Sequence, residues 1–339
     1  MKAVVLVGGE GTRLRPLTET VPKPLLPLVD RPSLDHLLDH LARHGVSEVV
    51  LSSPYLEETF APFIAAREGA PRITWITEAR PLGTGGAIVH ALEHLGEVPF
   101  FALNGDILTD LDLTSMHASH LERGAAVTIA LHHVEDARPF GLVATEPGGR
   151  VLEFREKPRD LMPGDVNAGT YLLDPAVLLD REQGATLSIE RDIFPSAIEA
   201  GRAVFGFRTD AYWLDLGTPE QYLQAHFDML EGKVHDVSYP APWIASDAQV
   251  DLRAHLGRWV AVGEHASIGP DAKVEDSVIH AGASVGAGSK VVSSIVAHDA
   301  VVGAGASVTD SVLGAGASVP GGAELDGARV PAGVVADAG

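Results

Sequence analysis

The chain has 339 residues, 45% of them apolar, with 25 basic and 46 acidic side chains, a formal net charge of −21 and no cysteine. That length exceeds one ordinary core and suits two domains. The acidic balance offers no concentrated cationic surface for nucleic acid. The lack of cysteine excludes disulfides and thiolate metal sites, so any metal must be held by oxygen or nitrogen.

The opening run Ala3 to Val7 is a short apolar stretch with no small-residue cleavage site after it, and it predicts a buried strand rather than a leader. No later stretch approaches the roughly 20 apolar residues that a bilayer span needs, so the expected location is the cytoplasm. Leu34, Leu37, Leu38 and Leu41 have the spacing of one helix face, and Gly45 follows where a helix C-terminus favours glycine. Val49 to Leu51, Ile73 to Ile76, Phe100 to Leu103, Ala126 to Leu131 and Thr170 to Leu173 are further strand candidates, several separated by helical stretches. The alternation predicts a Rossmann-like α/β domain over residues 1–232, with a mixed, mostly parallel sheet covered by helices and ligands beyond the carboxyl ends of its strands.

Residues 233–245, with two prolines, read as a linker. Beyond it the texture turns to Gly, Ala, Ser and isolated aliphatics in register. Val250, Leu256, Val262, Ile268 and Val274 recur every six residues, and the larger period is then 17, as in Val285, Val302 and Val319. One aliphatic per six residues predicts a left-handed parallel β-helix over 246–339, of about five coils, with 17 being three rungs short of one residue. A disordered Gly/Ala tail would have no reason to space its aliphatics.

The strand Ala3 to Val7 runs into Gly8-Gly9-Glu10-Gly11-Thr12-Arg13-Leu14-Arg15-Pro16-Leu17-Thr18, then Val21-Pro22-Lys23-Pro24. Glycines after a strand let backbone N–H groups approach phosphate oxygens, and Arg13 and Lys23 add full positive charge. There is no Gly-Lys-Ser/Thr, and Leu14 occupies the last glycine of a dinucleotide fingerprint, so neither common phosphate loop fits. A plain glycine turn would account for Gly8 and Gly9 but not for Thr12-Arg13 or the lysine between prolines.

This segment resembles the signature of the sugar-1-phosphate nucleotidyltransferases. The resemblance implies that Gly8, Gly9, Gly11, Thr12, Arg13 and Lys23 hold a nucleoside triphosphate, with Arg13 and Lys23 stabilising the transition state. It extends along the chain. Glu78-Ala79-Arg80-Pro81-Leu82-Gly83 is similar to the family's base-recognition loop, placing Glu78 and the backbone near Gly83 against the nucleobase. Asp106, after Asn104-Gly105, and Asp215, in Trp213-Leu214-Asp215-Leu216-Gly217, match the aspartates that carry Mg²⁺, a hard ion that takes few protein ligands. Gly141, Glu156, Lys157 and Asn167 match the sugar-phosphate half of the site. Ser188-Ile189-Glu190-Arg191-Asp192-Ile193-Phe194-Pro195 is similar to a stretch of the mannose-1-phosphate guanylyltransferases, as is a β-helix appended to the catalytic domain.

The implied reaction is in-line attack of a sugar-phosphate oxygen on the nucleotide α-phosphorus, with Arg13, Lys23 and Asp106 catalytic. GTP and mannose 1-phosphate are the expected substrates. Glucose 1-phosphate with UTP, ATP or dTTP, or a cyclitol phosphate, is the alternative pair. A non-catalytic nucleotide-sugar sensor is disfavoured because Arg13, Lys23, Asp106 and Asp215 are all present. An acyltransferase role for the β-helix lacks a motif around His265, His280 or His298, and assembly of a homo-oligomer is its simpler use. His36, His40, His44, His132 and His133 read as surface or helix-face residues.

Overall fold

The computed structural model describes residues 1–54 and 57–337. They form two compact units, Met1–Gly9 with His36–Trp213, and Glu10–Asp35 with Leu214–Gly339.

The first unit is built on a nine-stranded sheet. In chain order its strands are β1 (Lys2–Leu6), β2 (Glu48–Ser53), β3 (Arg72–Thr77), β4 (Phe100–Asn104), β5 (Val127–Val134), β6 (Gly141–Thr145), β7 (Val151–Glu156), β8 (Gly164–Leu173) and β9 (Val204–Arg208). The order is β7-β6-β8-β4-β1-β2-β3, with β5 pairing both β8 and β9. β4, β1, β2 and β3 are mutually parallel, β9 is parallel to β5, and β8 runs against β4, β5 and β6. The expected mixed sheet is therefore present.

β1 is a continuous apolar run because a central parallel strand is covered on both faces: Ala3, Val4 and Val5 are fully buried. Its neighbours in the core come from helix α3 (Gly83–Leu95) through Ile88, Val89, Ala91 and Leu95. Of the other helices, α1 is Ser33–Arg43, α2 Glu57–Ala66, α4 Leu113–Glu122, α5 Phe194–Glu199 and α6 Pro219–Leu230. Gly45 closes α1 as predicted. At φ 78° its N–H reaches the Ala42 carbonyl at 2.9 Å, while Val46 N–H reaches Leu41 at 3.0 Å, satisfying two end carbonyls.

Of the histidines expected at the surface or on a helix face, two lie on the buried face of α1. His36 and His40 are only 5% and 4% exposed, while His44, just past the helix, is half-buried with Nδ1 2.9 Å from Thr114 Oγ1. Burial, reinforced by His44 and Arg43, drives the His40 pKa down to about 4.

The second unit ends in three parallel sheets of six, five and five strands, the stacked faces of a β-helix. Partners in the first coil are 18 residues apart, Trp243 with Ala261, Gln249 with Ser267 and His255 with Lys273. From Ala261 with Val278 onward they are 17 apart. The missing residue is lost at one corner, where Asp276, Ser293 and Asp310 turn with φ of 47° and Gly327 with φ of 63°. After the first three stand Ser277, Ser294 and Ser311. The hydroxyls of Ser277 and Ser294 accept from the backbone N–H of the next serine at 3.0 Å, and that of Ser311 from Ala328 N–H at 2.9 Å. Each also donates to the carbonyl two residues back at 2.6 Å. A serine ladder thus satisfies the polar groups that the shortened corner buries. Val262, Ile268, Val274 and their 17-residue successors fill the coil.

The same unit contains residues 10–35, which carry Arg13 and Lys23. Its Leu14, Leu17 and Leu26 pack with Tyr222 of α6 and with Ile295, Ala297 and Val312 of the β-helix.

Candidate active site

In the second unit, three of the expected residues meet. Arg13 Nη2 lies 3.7 Å from Asp215 Oδ2, and Lys23 Nζ lies 3.6 Å from Asp215 Oδ1. Arg13 stands in a short helical turn, Thr12–Leu14, anchored by the buried Leu14. It remains 67% exposed, whereas Lys23 is 8% exposed between Pro22 and Pro24. One cation faces solvent and the other is buried. Thr12 is exposed beside Arg13.

Two glycines make this packing possible. Gly11 has φ 61°, and a Cβ there would stand 2.9 Å from Thr18 Cγ2; Thr18 Oγ1 in turn donates to the Gly11 carbonyl at 2.8 Å. A Cβ on Gly217 would stand 2.7 Å from Arg13 Nη2 and 2.8 Å from Asp215 Oδ2. Gly217 was visible in the sequence as the end of the Trp213 to Gly217 motif, but only the fold shows that its bare Cα makes room for the ion pair.

In the first unit, Gly8 and Gly9 leave the carboxyl end of β1, and Gly9 has open space around its Cα. Asp106 follows β4, the strand beside β1, in a turn where Gly105 N–H reaches the Leu6 carbonyl at 3.0 Å. Glu78 is 4% exposed: Oε1 accepts from Ser52 Oγ at 2.9 Å and Oε2 from Leu82 N–H at 3.0 Å. These bonds fold the chain between β3 and α3, where Gly83 opens the helix at φ 70°.

Glu156 ends β7 and Lys157 follows it, with Nζ 3.9 Å from Oε1. Lys157 takes φ 49°, a left-handed conformation uncommon for a long side chain, and its N–H reaches the Phe140 carbonyl at 3.0 Å. Gly141 is buried against the Phe154 ring and Glu156 Oε2. Asn167 on β8 donates through Nδ2 to Tyr171 Oη at 2.7 Å and accepts from Gly169 N–H at 2.9 Å.

The structure adds Glu190, Thr84, Ser188 and Tyr171 to this group. Ser188 N-caps a wide helical turn over Ile189–Ile193, in which Ile193 N–H reaches back to the Ser188 carbonyl at 3.3 Å. That turn delivers Glu190, whose Oε2 accepts from Thr84 Oγ1 at 2.9 Å and from Ser188 Oγ at 2.7 Å. The Tyr171 hydroxyl reaches Glu190 Oε1 at 3.5 Å. Burial first, then the Glu190 charge, raises the Glu156 pKa against the opposing pull of Lys157 and Arg191. Two carboxylates beside an amide and a phenol suit a polyhydroxylated ligand, which offers donors to both. The sequence signal for Glu190 was the Ser188 to Pro195 stretch, whose local pattern reads equally well as a helix on the sheet.

Comparison with known proteins identifies the family. The family model described as "Nucleotidyl transferase" matches residues 2–232, and the "GMPPB C-terminal domain" matches 239–332. A mannose-1-phosphate guanylyltransferase of Mycobacterium tuberculosis is 37% identical over 291 residues, covering 83% of this chain and 80% of the relative. A probable mannose-1-phosphate guanylyltransferase 2 of Arabidopsis thaliana is 36% identical, covering 82% and 79%. Among solved structures, HddC from Yersinia pseudotuberculosis complexed with GMP-PN superposes with a TM-score of 0.58 at 30% identity, covering 66% of this chain and 97% of that one. Two domain models in the expected order, and relatives alike over most of both chains, place this protein in the nucleotidyl transferase family as a nucleotidyltransferase enzyme.

Proposed function

We propose that the protein makes GDP-mannose and pyrophosphate from GTP and mannose 1-phosphate. The observation that carries the reaction type is the convergence of Arg13 and Lys23 on Asp215, directly after a glycine turn. The choice of GTP and mannose is supported by the names of the relatives. A sugar phosphate is largely ionised near neutral pH, so its attack on the α-phosphorus needs no strong general base. The new P–O bond forms as the bond to the β-phosphate oxygen breaks, and the electron pair leaves with pyrophosphate. Lys23, buried, and Arg13, exposed, offset the charge that develops.

Gly8, Gly9, Gly11 and Thr12 approach the triphosphate through backbone N–H groups, and the loop braced by Glu78 and opened by Gly83 faces the base. Gly141, Glu156, Lys157 and Asn167 receive the sugar phosphate, Lys157 its charge and the others its hydroxyls. Nucleotidyltransferases of this type generally use a divalent metal. Among the described residues no cluster of three or more His, Asp or Glu could hold an ion by itself. Mg²⁺ takes one or two carboxylates and completes its shell with phosphate oxygens and water, and Asp106 and Asp215 offer hard oxygen donors of that kind. Asp106 and Asp215 would hold it, and it would supply positive charge to the phosphates. In this reading residues 1–232 are catalytic, 233–245 the linker and 246–339 the β-helix, which joins subunits of a cytoplasmic homo-oligomer. No helix among the described residues is long and apolar enough to cross a membrane.

The test is to time pyrophosphate release with each of five nucleoside triphosphates against mannose, glucose and related 1-phosphates. GTP with mannose 1-phosphate should be fastest; a faster glucose or cyclitol pair would move the assignment. Lys23→Ala and Asp106→Ala should each lower turnover on the order of 10²-fold or more with folding retained. Near-normal turnover by both would sink the assigned roles.

A further inference from the structure

The turn that follows Lys23 is held in a costly conformation. Val29 has φ 65°, a left-handed setting that a β-branched side chain resists. Two side chains one turn apart on α6 hold it. The Tyr222 hydroxyl donates to the Pro27 carbonyl, and His226 Nδ1 accepts from Val29 N–H at 3.2 Å. Their rings meet edge to face at 4.7 Å between centroids. Tyr222 also lies 3.1 Å from Nε2 of His280, a fully buried residue on the β-helix that packs on His298 at 5.0 Å.

The proton inventory fixes the direction of this chain. A phenol has one hydrogen, and Tyr222 gives it to Pro27. His280 Nε2 must therefore be the donor to Tyr222 Oη. His280 then carries a hydrogen on Nε2, and its burial favours the neutral imidazole. The β-helix thus orients a phenol that orients the backbone four residues beyond Lys23. The apolar layer beneath points the same way, since Leu14 and Leu26, beside Arg13 and near Lys23, pack on Ile295 and Val312. At the far edge, Glu19 accepts from the backbone N–H of Ala332 at 2.9 Å.

We propose that His280 and Tyr222 are positioning residues for Lys23, so that the β-helix is a working part of the triphosphate site. The proposal rests on the role given above to Lys23. A strained turn has few ways to persist without its clamps, and a displacement of about 1 Å in a charge-stabilising group can cost on the order of 10²-fold in rate.

The experiment is a double-mutant cycle in the full-length protein, using Tyr222→Phe, which deletes one oxygen, and His280→Phe, which keeps a ring against His298. With GTP, or whichever triphosphate supports wild-type turnover, each should raise the triphosphate KM or lower kcat by about tenfold. The sugar-phosphate KM should stay near the wild-type value. The double variant should be no worse than Tyr222→Phe alone, because both act through one hydroxyl. Unchanged kinetics, equal losses for both substrates, or additive losses would each overturn the proposal. If Tyr222→Phe does not fold, amide exchange in the wild type decides. Added triphosphate should slow exchange both at Leu28 to Asp30 and around His280; protection confined to the first segment, or none, overturns it. A wild type inactive with every triphosphate would instead refute the proposed function.

Discussion

The Cα of Gly217 and the guanidinium of Arg13 are so close that a methyl group on Gly217 would stand 2.7 Å from Nη2. The atoms in its way are the ends of flexible side chains rather than backbone, so they can move aside. Gly217→Ala should therefore cost little stability, under about 1 kcal/mol. It should lower kcat/KM for the triphosphate by at least about tenfold, because Arg13 and Asp215 can no longer keep their spacing. Thermal unfolding and initial rates on the same preparation would check both halves.

Glu190 sits where its charge raises the pKa of Glu156. If ionised Glu156 accepts from the sugar, the acid limb of kcat/KM for the sugar phosphate reports its titration. Glu190→Gln removes the like charge and keeps an oxygen for Thr84 and Ser188. The limb should then move to lower pH; a profile superposable on the wild type would show that Glu156 does not govern it.

His40 and His120 each have a folded-state pKa near 4, lowered chiefly by burial. The unfolded chain titrates near 6.5, so between about pH 6.5 and 4 it binds more protons than the folded one. Stability is full above that window and falls as pH drops through it, by on the order of 2 kcal/mol per histidine at pH 5. Urea midpoints at pH 7 and 5 would measure the loss. His40→Gln or His120→Asn should flatten the dependence, and an unchanged slope in both would remove these groups from the account.

Ser294 is fully buried and bonds Ser311 N–H and the Val292 carbonyl together. Ser294→Ala strands a buried N–H and should destabilise the β-helix by roughly 1–3 kcal/mol. Urea unfolding followed on the second unit would read it.

What could be foreseen from the sequence was local or repetitive. The run Ala3 to Val7 declared a buried strand, Gly45 a helix end, and the spacing of Val285, Val302 and Val319 a coil, since each needs only neighbours or a period. Arg13 and Lys23 could be read as phosphate charges from their own segment, but their catalytic role and the two aspartates came from resemblance. What escaped was set by partners far away in sequence. Leu14 packs on Ile295, and His226 holds Val29 across 197 positions, contacts with no local pattern. His40 carries the same helical spacing whether its face meets solvent or core. Glu190 reaches Tyr171 and Thr84 only because Ser188 to Phe194 winds as a wide turn, a geometry that side-chain periodicity does not announce.

The shortened corner of the β-helix recurs at Asp276, Ser293, Asp310 and Gly327, always one coil apart. A single inserted residue would throw every later serine and valine out of line with the coil below it, whereas a whole coil would slip in without disturbing its neighbours. Change in length along this part of the chain is therefore quantised. The first coil, with its full complement of 18, has no short corner to match and is the one place where the count is open.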